Sequence, residues 1–146
     1  MMNFPILSSL ILLPSIGALF LFFTKSNNEN NITAKYVALF TAFVNFLLSI
    51  YLWILFDQST SEFQFIEDRI WIKDLINYKV GIDGISILFI ILTTFITPLC
   101  IISVNNSIKN RLREFLIAIL IMESFMIGVF CSLDLVVFYL FFEAGL

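Results

Sequence analysis

Glu143 lies within Leu135-Val-Val-Phe-Tyr-Leu-Phe-Phe-Glu-Ala-Gly-Leu146, where the nearest other charge is Asp134, nine residues earlier. A carboxylate in such a segment costs about 2.5–3.5 kcal/mol on membrane-insertion scales, so its presence marks a site that handles ions or protons. Glu123 is a second acid of this kind, interrupting the apolar run 115–133. It stands eleven residues before Asp134, and Glu143 stands nine after it. At 1.5 Å per residue those separations are about 16 and 14 Å, so both acids reach roughly the bilayer midplane at matched depth. Whether their side chains face each other depends on helix rotation, which spacing leaves open. Facing carboxylates would resist carrying two charges in a low dielectric and would titrate as a coupled unit. Such a pair could take up and release protons. The plainer alternative for either acid is a neutral carboxyl hydrogen-bonded to a neighbouring helix.

The elements that must position these acids are transmembrane helices. Runs at about 4–23, 36–56, 85–104 and 115–133 each approach the roughly 20 residues that a spanning helix needs. Residues 135–146 open a fifth span that covers only about 18 Å of a roughly 30 Å hydrocarbon core. The expected fold is therefore an all-α integral membrane protein, with four full helices plus a truncated fifth in a single membrane region. The N-terminus is not a signal peptide, because no cation precedes an apolar run longer than a typical signal core. Ser132-Leu-Asp134 leaves so little chain between the last two helices that they should form a tight antiparallel hairpin.

Composition agrees with this class and excludes others. Hydrophobic residues make up 60% of the 146, charged residues 13%, and the mean hydropathy is +1.02. Soluble domains carry about 25% charged residues. A net charge of −3 with no basic stripe argues against nucleic acid as a partner. There is no His, no C-x-x-C, and no glycine pattern that could cradle a phosphate. The chain is thus expected to hold no nucleotide, iron–sulfur cluster or typical metal site.

Cations set the orientation. Lys25, Lys35, Lys109, Arg111 and Arg113 fall on one side, against Arg69, Lys73 and Lys79 spread over the long loop 57–84 on the other. By the positive-inside rule the first group faces the cytoplasm or matrix and the N-terminus lies outside. In the outer loop Phe63, Phe65, Ile70 and Ile72 alternate around Glu67-Asp68, a weak hairpin signal, and Trp71 and Tyr78 suit the membrane interface. Pro14 and Pro98 predict kinks, with Thr93, Thr94 and Thr97 available to satisfy a freed carbonyl. Ser124, Gly128 and Ser132 recur every four residues, a small-residue face for close helix approach. Cys100 and Cys131 fall near opposite ends of adjacent helices, too far apart for a disulfide.

Several of these features together resemble a known family. Gly81-Ile-Asp-Gly-Ile-Ser86, Thr97-Pro98, Arg113-Glu-Phe115, Ile127-Gly-Val-Phe130 and the run from Asp134 to Leu146 look like chain M of the proton-pumping NADH:quinone oxidoreductase (complex I), whose mitochondrial counterpart is subunit 4. The resemblance covers essentially this whole chain but only the N-terminal third of the family's length. The closeness of 81–146 suggests an alphaproteobacterial or mitochondrial source.

The resemblance implies an antiporter-like membrane-arm subunit built from inverted five-helix repeats. NADH, flavin, iron–sulfur clusters and quinone would be bound by the rest of the complex, and this chain would carry no redox site. Partners would be the lipid bilayer, the other membrane-arm subunits and, for a split protein, a separately encoded C-terminal remainder. Glu143 matches the family's essential membrane glutamate. Glu123 matches a position where relatives carry an acid, a less specific correspondence. The lysines that complete the family's proton path lie beyond residue 146, so these residues alone would not pump; with the fifth helix ending near the midplane and its last carbonyls unpaired in hydrocarbon, they would not make a stable monomer either. The location implied is a bacterial or mitochondrial inner membrane. Two other readings stay open: a multisubunit sodium/proton antiporter subunit, and a structural or assembly fragment of a split protein.

Overall fold

The computed structural model describes residues 5–23, 31–72, 76–104 and 111–146. Helices α1 (Ile6–Phe23), α2 (Asn31–Leu55), α3 (Gly84–Ser103) and α4 (Leu112–Cys131) are each long and apolar enough to cross a membrane. A shorter apolar helix, α5 (Leu135–Gly145), follows α4 after a three-residue turn. Strands β1 (Gln64–Ile72) and β2 (Ile76–Ile82) precede α3 and pair antiparallel. The chain is a multi-pass helical membrane protein with one extramembrane hairpin. Helix α2 begins ahead of the charge-free run at Tyr36 and takes in Lys35. Its amino group donates to the carbonyls of Ile102 and Val104 at the end of α3, at 3.4 and 2.9 Å.

Helix α4 is the centre of the bundle, packing on α1, α2, α3 and α5. Its buried residues Leu116, Leu120, Glu123, Ser124, Ile127, Gly128 and Cys131 recur at helical spacing and form one inward stripe. The small residues Ser124 and Gly128 of α4 and Ser132 just after it serve different neighbours. Ser124 meets α1, where its hydroxyl lies 2.7 Å from that of Ser15. Gly128 lies under the ring of Phe141 on α5. Ser132 bridges to Val80 of β2. Without interior water, association of apolar helices depends on such close fits and on interhelical hydrogen bonds.

The helix ends are capped from the sequence. Asp83 accepts from the Ser86 amide at 2.7 Å, and Asp134 accepts from Val136 and Val137 at 2.8 and 3.3 Å. Each satisfies amide groups that have no intrahelical partner. Helix α1 is capped from a distance. The Glu67 carboxylate of β1 accepts from the amides of Leu7 and Ser8 at 3.0 and 3.3 Å and from the Ser8 hydroxyl. The hairpin is thereby tied to the bundle. Tyr78 is half-buried, with its hydroxyl 3.2 Å from Ser8 Oγ. The Leu133 amide donates to Lys79 O at 2.9 Å, which pins the α4–α5 turn to β2.

Two details differ from the pattern expected of the sequence. Pro98 frees the carbonyl of Thr94, but the threonine hydroxyls bond elsewhere: Thr97 to Thr93, Thr94 to Ile90 and Ile91, and Thr93 to Phe89. A helical hydroxyl reaches the carbonyl four residues back more readily than one displaced by a kink. In β1 the alternation breaks at Phe65, which has φ of 54° next to an irregularity in register between Gln64 and Glu67. An extra residue there rotates the strand and helps aim Glu67 at α1. Lys25, Lys73, Lys109 and the side chain of Trp71, on which the orientation and the interfacial placement partly rest, lie outside the described residues.

Candidate proton site

Glu123 falls on the inward stripe of α4 one turn from Leu120 and Ile127, so helix geometry carries its carboxyl into the core. It is 2% exposed, and Asn45, on α2, is fully buried beside it. Asn45 Nδ2 donates to Glu123 Oε1 at 2.9 Å. The neighbouring Ser124 hydroxyl donates to the carbonyl of Ile11. On the other side of Asn45, Ser49 Oγ lies 2.7 Å from Thr94 Oγ1 of α3. Side-chain polar contacts thus join α1 to α4, α4 to α2 and α2 to α3 inside an apolar bundle. In membranes such contacts average about 0.6 kcal/mol each, so their value lies as much in register and chemistry as in stability.

Glu143 is placed differently. Helix α5 packs through Val137, Phe141 and Gly145, which share one face at four-residue spacing; Gly145 lies against Phe125 and Phe141 against Gly128. Glu143 is two residues from Phe141, roughly 200° around the helix, and it is exposed. The structure does not bring the two acids together: Glu123 bonds to Asn45 of α2, while Glu143 points away from α4. Among the described residues no three His, Cys, Asp or Glu side chains gather to hold a metal ion. Cys100 is exposed and Cys131 buried, and both are free thiols.

Asn45, Ser15, Ser49 and Thr94 escape a reading of the sequence as parts of this site. A signal is present, since Asn45 is the one amide in the middle of an otherwise apolar span. A lone amide carries no pattern of its own, however, and its relation to Glu123, seventy-eight positions away, exists only in the packed bundle.

The fold and site define a multi-pass membrane protein with a carboxylate buried among its helices and a second on an open helix face. No family model matches the chain. Curated relatives do. The chain is 45% identical over 141 residues to NADH-ubiquinone oxidoreductase chain 4 of Marchantia polymorpha, covering 96% of this chain and 28% of the relative. It is 55% identical over 113 residues to NADH-quinone oxidoreductase subunit M of Rhodobacter capsulatus, covering 77% and 22%. Subunit M of Rickettsia typhi is 42% identical over 149 residues, covering 99% and 30%. The chain belongs to the family of NADH-quinone oxidoreductase subunit M and NADH-ubiquinone oxidoreductase chain 4. It spans under a third of the length of these relatives, which fits an N-terminal portion of the family.

Proposed function

We propose that this chain serves in the membrane arm of a proton-translocating NADH:quinone oxidoreductase, where Glu143 takes up and releases protons in response to electron transfer elsewhere in the complex. The observation that carries the reading is likeness along nearly the whole chain to proteins named as that enzyme's subunit M and chain 4. The placement of Glu143 supports it. Glu143 lies on a face of α5 other than the one that packs on α4, where groups on other helices could reach it, as a proton relay requires. Glu123, enclosed by α2 and α4, plays a secondary part in the same proton path.

On this reading the partners are the other membrane-arm subunits, including whatever polypeptide carries the rest of the family's length. NADH, flavin, iron–sulfur clusters and quinone belong to the rest of the complex. The membrane is a bacterial or mitochondrial inner membrane, with the N-terminus on its outer side. The test is Glu143→Gln in the full-length protein within the assembled complex, with pumping followed by a pH-sensitive dye in sealed vesicles. Near-complete loss of pumping with the complex still assembled is expected. Unchanged pumping would end the proposal. Glu123→Gln should reduce pumping less.

A further inference from the structure

We infer that Asn45 and Glu123 form a proton-binding site, in which one proton on Glu123 Oε2 closes a reciprocal acid–amide pair between α2 and α4. Two orphan atoms point to it. Asn45 Oδ1 and Glu123 Oε2 are both buried and have no hydrogen-bond partner among the described residues. Both are acceptors when the carboxyl is ionised, because a carboxylate donates nothing and an amide oxygen only accepts. Leaving two such atoms unsatisfied in a membrane interior costs several kcal/mol each. A single proton resolves both.

The connectivity of the two groups allows it. Oδ1 shares its carbon with Nδ2, and Oε2 shares its carbon with Oε1, while Nδ2 and Oε1 are already bonded at 2.9 Å. Bringing the two planar groups into one plane lets the protonated Oε2 donate to Oδ1 while Nδ2 continues to donate to Oε1. Nothing else nearby competes for that proton. Helix α1 carries no ionisable side chain in its described span. On α2, Lys35 is engaged with the end of α3, and Tyr36 and Tyr51 are exposed. Helix α3 offers only the exposed Cys100, and on α5 Tyr139 and Glu143 are exposed. Arg113 and Glu114 stand at the start of α4, Cys131 lies two turns past Glu123, and Tyr78 and Lys79 belong to β2 beyond the helix end. Glu123 therefore acts as a proton store latched to α2, and loss of the proton removes one of the two hydrogen bonds of the pair and leaves Asn45 Oδ1 and Glu123 Oε2 unsatisfied again.

This latch is argued from the Asn45–Glu123 geometry and not from the role of Glu143, and its test reads the carboxyl itself. Infrared spectra of the full protein in lipid at neutral pH should contain a protonated-carboxyl C=O band that disappears in Glu123→Gln. The same band should shift to higher frequency in Asn45→Ala, where the donor to the carboxyl oxygen is gone. Glutamine offers both a donor and an acceptor, so Glu123→Gln keeps a reciprocal pair and should fold normally. If Glu123→Gln instead removes a carboxylate band at neutral pH, the site holds an ionised acid bridged by water and the inference fails. It fails equally if the spectrum in this region is unchanged by that substitution.

Discussion

Replacing Gly128 with Val should lever α5 off α4, and the size of the effect can be worked from the packing. A Cβ at Gly128 would lie 2.7, 2.8 and 2.9 Å from Cγ, Cδ1 and Cδ2 of Phe141, where ordinary contact begins at 3.4 Å. The shortfall is 3.4 − 2.7, or about 0.7 Å, and it falls on the flat body of a ring near its attachment to the backbone. A ring there cannot bend aside as the tip of a flexible side chain would, so the helix must move. Overpacking of this kind costs about 1–3 kcal/mol, and Val brings two further methyl groups. Relief from the low helix propensity of Gly returns only about 0.3 kcal/mol, too little to change the sign. The assay is a double-mutant cycle with Phe141→Ala, measured by reversible unfolding of the full-length protein in lipid-containing micelles. Each single change should destabilise. The double mutant should be more stable than their sum by about 0.5–3 kcal/mol, because the ring that clashes is gone. Additive losses, or a Gly128→Val protein as stable as the original, would refute the claim that Phe141 sits on Gly128.

Asp83→Ala should destabilise α3 by about 1 kcal/mol and Asp83→Asn hardly at all, since Asn caps as well as Asp. The hydrogen bonds from Ser86 hold the Asp83 carboxyl below its ordinary value of 3.8. Its folded-state value is thus depressed, so this stabilisation is fully present above the unfolded value and is lost as pH falls from there through the folded value; unfolding curves from pH 7 into this acid range should show a smaller loss in Asp83→Asn than in the original protein. A single Cys at position 110 should resist membrane-impermeant labelling from the outer face of sealed vesicles, because cations favour that segment on the cytoplasmic or matrix side; ready labelling would reverse the orientation.

The membrane class, the number of long helices and the two acids were legible in the residues themselves. Spans announce themselves because a bilayer demands about 20 apolar residues in a row, and an acid within such a run is too costly to persist without a partner or a task. The caps at Asp83 and Asp134 are local too, set by a side chain and amides two or three residues away, though the sequence reading did not draw them. Helix rotation and long-range pairing are not. The matched depth of Glu123 and Glu143 follows from counting, but the face each presents depends on which neighbours α4 and α5 choose, and that choice rests on fits such as Gly128 under Phe141 and Gly17 against Thr41. Only the packed bundle turned Glu123 towards Asn45, left Glu143 on the open side of α5, and brought Glu67 of the hairpin onto the first turn of α1. A one-dimensional pattern specifies how far along the membrane normal a residue lies. Which helix it meets at that depth is a matter of volume and hydrogen-bond satisfaction among segments far apart in the chain, and this is decided in three dimensions.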